Sequence, residues 1–76
     1  MFQDRSPLSP EIWLRDLFAC KAVQQGQVVR RKLRDIERYV GLERFLQELE
    51  SRGFRAVENR GQVVIFCNRA PVRRLI

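Results

Sequence analysis

The sequence contains no histidine. That absence removes the Ser-His and Cys-His pairs of nucleophilic catalysis and every zinc site built on imidazole. Cysteine is nearly absent too: Cys20 and Cys67 stand far apart, without the close spacing of metal ligands or a redox pair, and read as structural thiols. A disulfide between them would call for an exported protein, and nothing in the chain indicates export. No apolar run approaches the roughly 18–20 residues that span a bilayer. Asp4, Glu11 and Asp16 fall where a signal peptide would be apolar, so the expectation is a soluble, cytoplasmic protein. The four glycines, Gly26, Gly41, Gly53 and Gly61, are scattered singly, which leaves no phosphate-cradling loop. Glu43, Glu48 and Glu50 lie on the polar side of a predicted helix, where i,i+4 pairing such as Glu48 with Arg52 accounts for them. No catalytic, metal or cofactor constellation emerges, and a non-catalytic domain is expected.

What the chain has in quantity is positive charge. Its net +6 is unevenly placed: residues 1–26 are neutral, residues 27–34 carry +4, residues 35–53 carry −2 and residues 54–76 carry +4. Thirteen of the fifteen basic residues are arginine, the side chain suited to bidentate recognition of phosphates and carboxylates, although genome base composition produces the same bias.

With 76 residues the chain is read as an irregular lead-in over 1–8 followed by one domain over 9–76, small enough that a single core is marginal unless helped by a metal, a disulfide or a partner subunit. Ser9-Pro10-Glu11 predicts a helix start, and the apolar residues Ile12, Trp13, Leu14, Leu17, Phe18, Cys20, Ala22 and Val23 predict that this helix continues to a stop at Gly26. Val28 and Val29 favour a strand, and Arg30, Arg31 and Lys32 suit a short edge, where positive side chains also guard against edge-to-edge pairing. Asp35 is expected to cap a helix through Ile36, Tyr39 and Val40. Gly41 should then break the chain, because at about 100° per residue Ile36 and Phe45 would point in opposite directions on one straight helix.

Leu42, Phe45, Leu46 and Leu49 make one apolar stripe, and Gly53 followed by Phe54 predicts a glycine stop near Arg52. The run FRAVENRGQVVIFC predicts a hairpin with Glu58 opposite Gln62, closed by a type I turn and a glycine bulge. That register puts Phe54, Ala56, Val64 and Phe66 on one face, and Val57, Val63, Ile65 and Cys67 on the other with Arg55. Helices are expected over one face and the N-terminal segment or a second subunit over the other. Val72 to Ile76 is expected to add a last edge strand carrying Arg73 and Arg74.

The fold class that follows is α+β: an N-terminal helix, a short edge strand, a bent helix pair and a C-terminal hairpin in two layers. This is the element order of a winged-helix domain. Against that resemblance, few residues lie between Gly41 and Gly53 for a recognition helix, and their exposed side is acidic on balance and would repel a major groove.

The stretch VVRRKLRDIERYVGLERFLQELESRGFRAVENRGQVVIFCN, about residues 28–68, resembles a group of short bacterial proteins from alphaproteobacteria, some of which carry the label phosphoribosylanthranilate isomerase. The resemblance brings no catalytic residues with it. The label also fails on size, since that isomerase is an α/β barrel of about 200–250 residues.

Two functions compete. A small basic nucleic-acid-binding or regulatory module would place Arg30, Arg31, Lys32 and Arg34 on phosphates, with Arg73 and Arg74 in support and no base readout. The alternative is a protein-interaction module or a homodimeric accessory subunit, motivated by small size, a hairpin apolar on both faces and Trp13.

Overall fold

The computed structural model describes residues 9–76; the lead-in expected over 1–8, and any covering role for it, lies outside them. Ser9 caps α1 (Pro10–Ala19) through its Oγ, which accepts a hydrogen bond from the Ile12 N–H at 3.2 Å, and Pro10 and Glu11 fill the first turn. The helix does not continue to Gly26 as expected. Cys20 is extended (φ −69°, ψ 153°), and a short α2 (Lys21–Gln24) restarts after it. The reason is geometric: Leu14 and Val23 would lie on opposite sides of a straight helix at about 100° per residue, yet both are buried. The break lets both enter one core.

Strand β1 (Val28–Lys32) runs directly into α3 (Leu33–Tyr39). This helix starts two residues before the expected Asp35 cap, with Asp35 in its first turn. The Leu33 N–H, an otherwise unpaired helix-start donor, bonds to the Gly61 carbonyl at 2.8 Å, so the hairpin turn does the work given to Asp35. Gly41 (φ 95°) separates α3 from α4 (Leu42–Ser51), and the expected change of direction brings Ile36 and Phe45 into the same interior, both at 0% exposure.

α4 ends in a Schellman pair: the Gly53 N–H bonds to Glu50 O at 3.0 Å and the Phe54 N–H to Leu49 O at 2.9 Å. Gly53 has φ 75°, and a Cβ placed there would stand 2.9 Å from Arg69 Nε, the group that itself bonds to Arg52 O at 3.3 Å. Gly53→Ala therefore combines left-handed strain with loss of a C-terminal cap. It is expected to cost about 1–2 kcal/mol, read as a fall of roughly 5–15 °C in Tm; an unchanged Tm would show that neither effect operates.

Strands β2 (Arg55–Asn59) and β3 (Gln62–Phe66) form the expected hairpin, and β1 joins its far side to give an antiparallel sheet of order β1-β3-β2. Its register is a correction. Asn59, not Glu58, pairs with Gln62, and the loop is the two residues Arg60 (φ 52°) and Gly61 (φ 77°). This is the primed turn whose twist matches that of the flanking strands, reached by placing a non-glycine residue in the left-handed region. The one-residue shift exchanges the faces of β2: Ala56 joins Ile65, and Val57 joins Val64.

Val29, Val63, Ile65 and Cys67 are buried beneath Leu14, Leu17, Ile36, Phe45 and Leu49 of the helical layer. The last edge strand expected over Val72–Ile76 does not form, and those residues are exposed without regular structure. Both sides of β3 are already taken by β1 and β2, and Asn68 turns the chain away by accepting from the Ala70 N–H and donating to Gly26 O. The architecture is two-layer α+β, with the element order α1-α2-β1-α3-α4-β2-β3, so a short second helix precedes β1 where the sequence predicted one continuous helix. Among the described residues no helix is long and apolar enough to cross a membrane.

Candidate nucleic-acid interface

Paired residues in an antiparallel sheet point to the same side. The side away from the helices is therefore a grid of three rows: Val28–Phe66–Arg55, Arg30–Val64–Val57 and Lys32–Gln62–Asn59. Val28 and Val57 are 50% and 49% exposed, Val64 and Phe66 half-buried, and the charged members exposed. Arg60 projects from the turn at the Lys32 end, where the Leu33–Gly61 hydrogen bond also brings the start of α3 and Arg34 alongside.

Every acidic residue among those described lies elsewhere. Glu11, Asp16, Asp35, Glu37, Glu43, Glu48 and Glu50 are on helices, while Glu58 pairs with Val63 and so belongs to the helix side of the sheet. The outer face thus carries Arg30, Lys32 and Arg55, bordered by Arg60, with no carboxylate on it. Among the described residues none of these four cations takes part in an ion pair. Arg30, Asn59, Arg60, Gln62 and Val64 line a depression of ≈ 370 Å³. Two guanidiniums and two amides around one hollow form a donor set that matches phosphate oxygens.

Of the residues that the sequence pointed to, the structure brings Arg30 and Lys32 together on this face. Strand alternation turns Arg31 to the opposite side, where it borders Trp13, Asp16 and Leu17. Arg34 is exposed in the first turn of α3, and Arg73 and Arg74 lie in the irregular C-terminal segment, with Arg74 Nε donating to Ile76 O. Arg55 and Arg60 escaped the sequence reading. Placing Arg55 needed the true register of β2, and placing Arg60 needed the two-residue turn.

Arg60 also separates charge from fold. Asn is the preferred residue at its left-handed position, so Arg60→Asn is expected to stabilise the domain by about 0.5–1 kcal/mol while lowering affinity for a polyanion. A simultaneous fall in both would make the Arg60 side chain structural.

A second polar cluster is internally neutralised. Arg44 Nη1 donates to Glu11 Oε2 at 3.2 Å and its Nε lies 3.9 Å from Glu48 Oε2, while Arg52 Nη1 meets Glu48 Oε1 at 2.8 Å and its guanidinium lies 3.7 Å from the centre of the Phe18 ring. A hydrogen bond from its own backbone N–H, then one from Arg44, holds the Glu11 carboxyl below the usual range. These are the two carboxylates of the open groove between α1 and α4, and both are engaged by arginine. Burial pushes the Cys67 thiol up, with Cys20 adding to the rise and Arg31 opposing it, so the thiol is held protonated in the core. Among the described residues no group of three or more potential ligands is placed to hold a metal ion. Comparison with known protein families, with curated proteins and with solved structures finds no match to the chain.

Proposed function

We propose that this chain is a small, non-catalytic nucleic-acid-binding module of the cytoplasm that contacts backbone phosphates through the outer face of its sheet. The observation that carries the reading is charge segregation: Arg30, Lys32, Arg55 and Arg60 surround one face from which every described carboxylate is absent. Edge protection explains cations on β1 and β2, the two edges of the sheet, but it does not require them to share one side that is free of carboxylates, nor the turn to be basic as well. α4 takes no part in binding. Its exposed residues are Glu43, Leu46, Gln47, Glu50 and Ser51, a surface that repels phosphates.

The half-exposed Val28 and Val57 favour protein contact as a second reading. A two-fold homodimer through this face would bring the cations of one copy against a face that carries only cations of the other and no carboxylate to pair with them, which is destabilising. A protein partner would have to be acidic.

Fluorescence anisotropy with labelled oligonucleotides, at two salt concentrations, tests the proposal. Binding that weakens steeply with salt supports it. No binding at low salt defeats it and directs the search to an acidic protein.

A further inference from the structure

We infer that the outer sheet face takes single-stranded nucleic acid, with a base stacked on Phe66 and the adjoining phosphates held by the flanking cations. The inference rests on the phosphate-contact reading and adds the substrate class.

Six aromatic residues lie within the described chain. Trp13, Phe18, Phe45 and Phe54 belong to the core or pack against it, and Tyr39 stacks on Trp13 with ring centroids 6.2 Å apart. Phe66 alone does neither. It stands on the central strand of the outer face, in a row with Val28 and Arg55 and beside the row Arg30–Val64–Val57. Val28, Val57, Val64 and Phe66 thus form an apolar floor that no described helix covers, with cations on both of its long sides.

The dimensions suit a strand rather than a duplex. β1 and β2 flank β3 at about 4.8 Å each, so Arg30 and Arg55 stand on either side of a lane roughly 10 Å wide. Along β3, Gln62 to Phe66 spans about 13–14 Å on the same face, which puts the polar depression at one end and the ring at the other. A single strand laid along this lane sets an unpaired base on the ring and a neighbouring phosphate among Arg30, Asn59, Arg60 and Gln62. In a duplex the bases are paired and stacked on one another, which leaves Phe66, Val28 and Val57 facing phosphates with nothing to bury. Electrostatics alone points the other way, since the higher charge density of duplex DNA gives the larger counterion term. A preference for single strands therefore reports stacking.

The test uses the full chain and three labelled probes at about 50 mM salt: oligo(dT) of about 12 nucleotides, an abasic oligomer of the same length, and a duplex of the same length. Oligo(dT) is expected to bind at least about 10-fold tighter than the abasic strand or the duplex. Phe66→Ala should weaken oligo(dT) binding by about 5- to 100-fold, the range of one lost stacked base, and leave the abasic strand unaffected. Phe66→Tyr keeps a stacking ring and should restore most of the affinity. Equal binding of all three probes overturns the single-strand inference while leaving the phosphate reading standing. Failure of every probe to bind removes both. The comparison of oligo(dT) with the abasic strand uses the unaltered protein, so it decides the question even if Phe66→Ala does not fold.

Discussion

Phe45→Ala is expected to remove between about a quarter and all of the stability of the domain. Phe45 has 0% exposure and sits on α4, edge-on to Trp13 of α1 with ring centroids 6.0 Å apart, in the same core as Ile36 and Ile65. A buried phenylalanine truncated to alanine costs about 3–5 kcal/mol, the loss of transfer free energy plus the cavity left behind. For 76 residues, total stability at the usual per-residue value is only about 4–11 kcal/mol. At the lower end of that range the variant stands at the edge of unfolding at room temperature; at the upper end its urea midpoint falls by roughly a quarter to a half at unchanged slope. Gln47→Ala, two residues along the same helix and exposed, is the control and should stay within about 0.5 kcal/mol of the parent. If the two variants melt together, α4 is not seated on the sheet and the arrangement of layers is wrong.

The same side chain shows why part of this fold was legible in the sequence. The α4 stripe, the break at Gly41 and the Gly53–Phe54 stop are set by local chemistry, and one register on the helix satisfies all three. The alternation within β3 was equally plain, because Val63, Ile65 and Cys67 can reach the core only on one side. The readings that failed depended on non-local choices. Cys20 carries no helix-breaking chemistry of its own; the chain breaks there because Val23 must reach a core already defined by Leu14 and Leu17. The hairpin register turned on Arg60 accepting φ 52°, a conformation the residue type does not favour. The C-terminal strand failed because Asn68, bonded to the distant Gly26 carbonyl and to the Ala70 N–H, turns the chain after β3.

The candidate site inherits those errors in order. Period-two alternation alone would have separated Arg31 from Arg30 and Lys32, so that part was available from the sequence. Adding Arg55 required the sheet. The winged-helix order expected from the sequence, taken by itself, would have directed attention to α4, whose exposed Glu43 and Glu50 are not offset by an exposed cation on that helix. Fold order and charge therefore point to opposite sides of the molecule, and charge is the property that a polyanion senses.

That distinction has a quantitative consequence in salt. If Arg30, Lys32, Arg55 and Arg60 each neutralise one phosphate of a single strand, the logarithm of affinity should fall with the logarithm of salt concentration at a slope of about −2.8. Between about 50 and 200 mM salt the affinity should then drop roughly 50-fold. Arg30→Gln with Arg55→Gln removes two contacts from opposite sides of the lane, so the slope should halve to about −1.4 and the same salt step should cost only about 7-fold. Arg73→Gln with Arg74→Gln removes the same amount of charge from the irregular C-terminal segment, outside the sheet. If binding followed net charge alone, the two double variants would behave alike, since both take +6 to +4. The sheet face as the binding surface requires them to differ: the first pair flattens the salt dependence, and the second leaves a slope near −2.8. A slope that halves for the C-terminal pair alone would place the phosphates away from the sheet, and one that halves for both would divide the contacts between the sheet and the C-terminal segment, because only contacts made at the bound strand release counterions and set the slope.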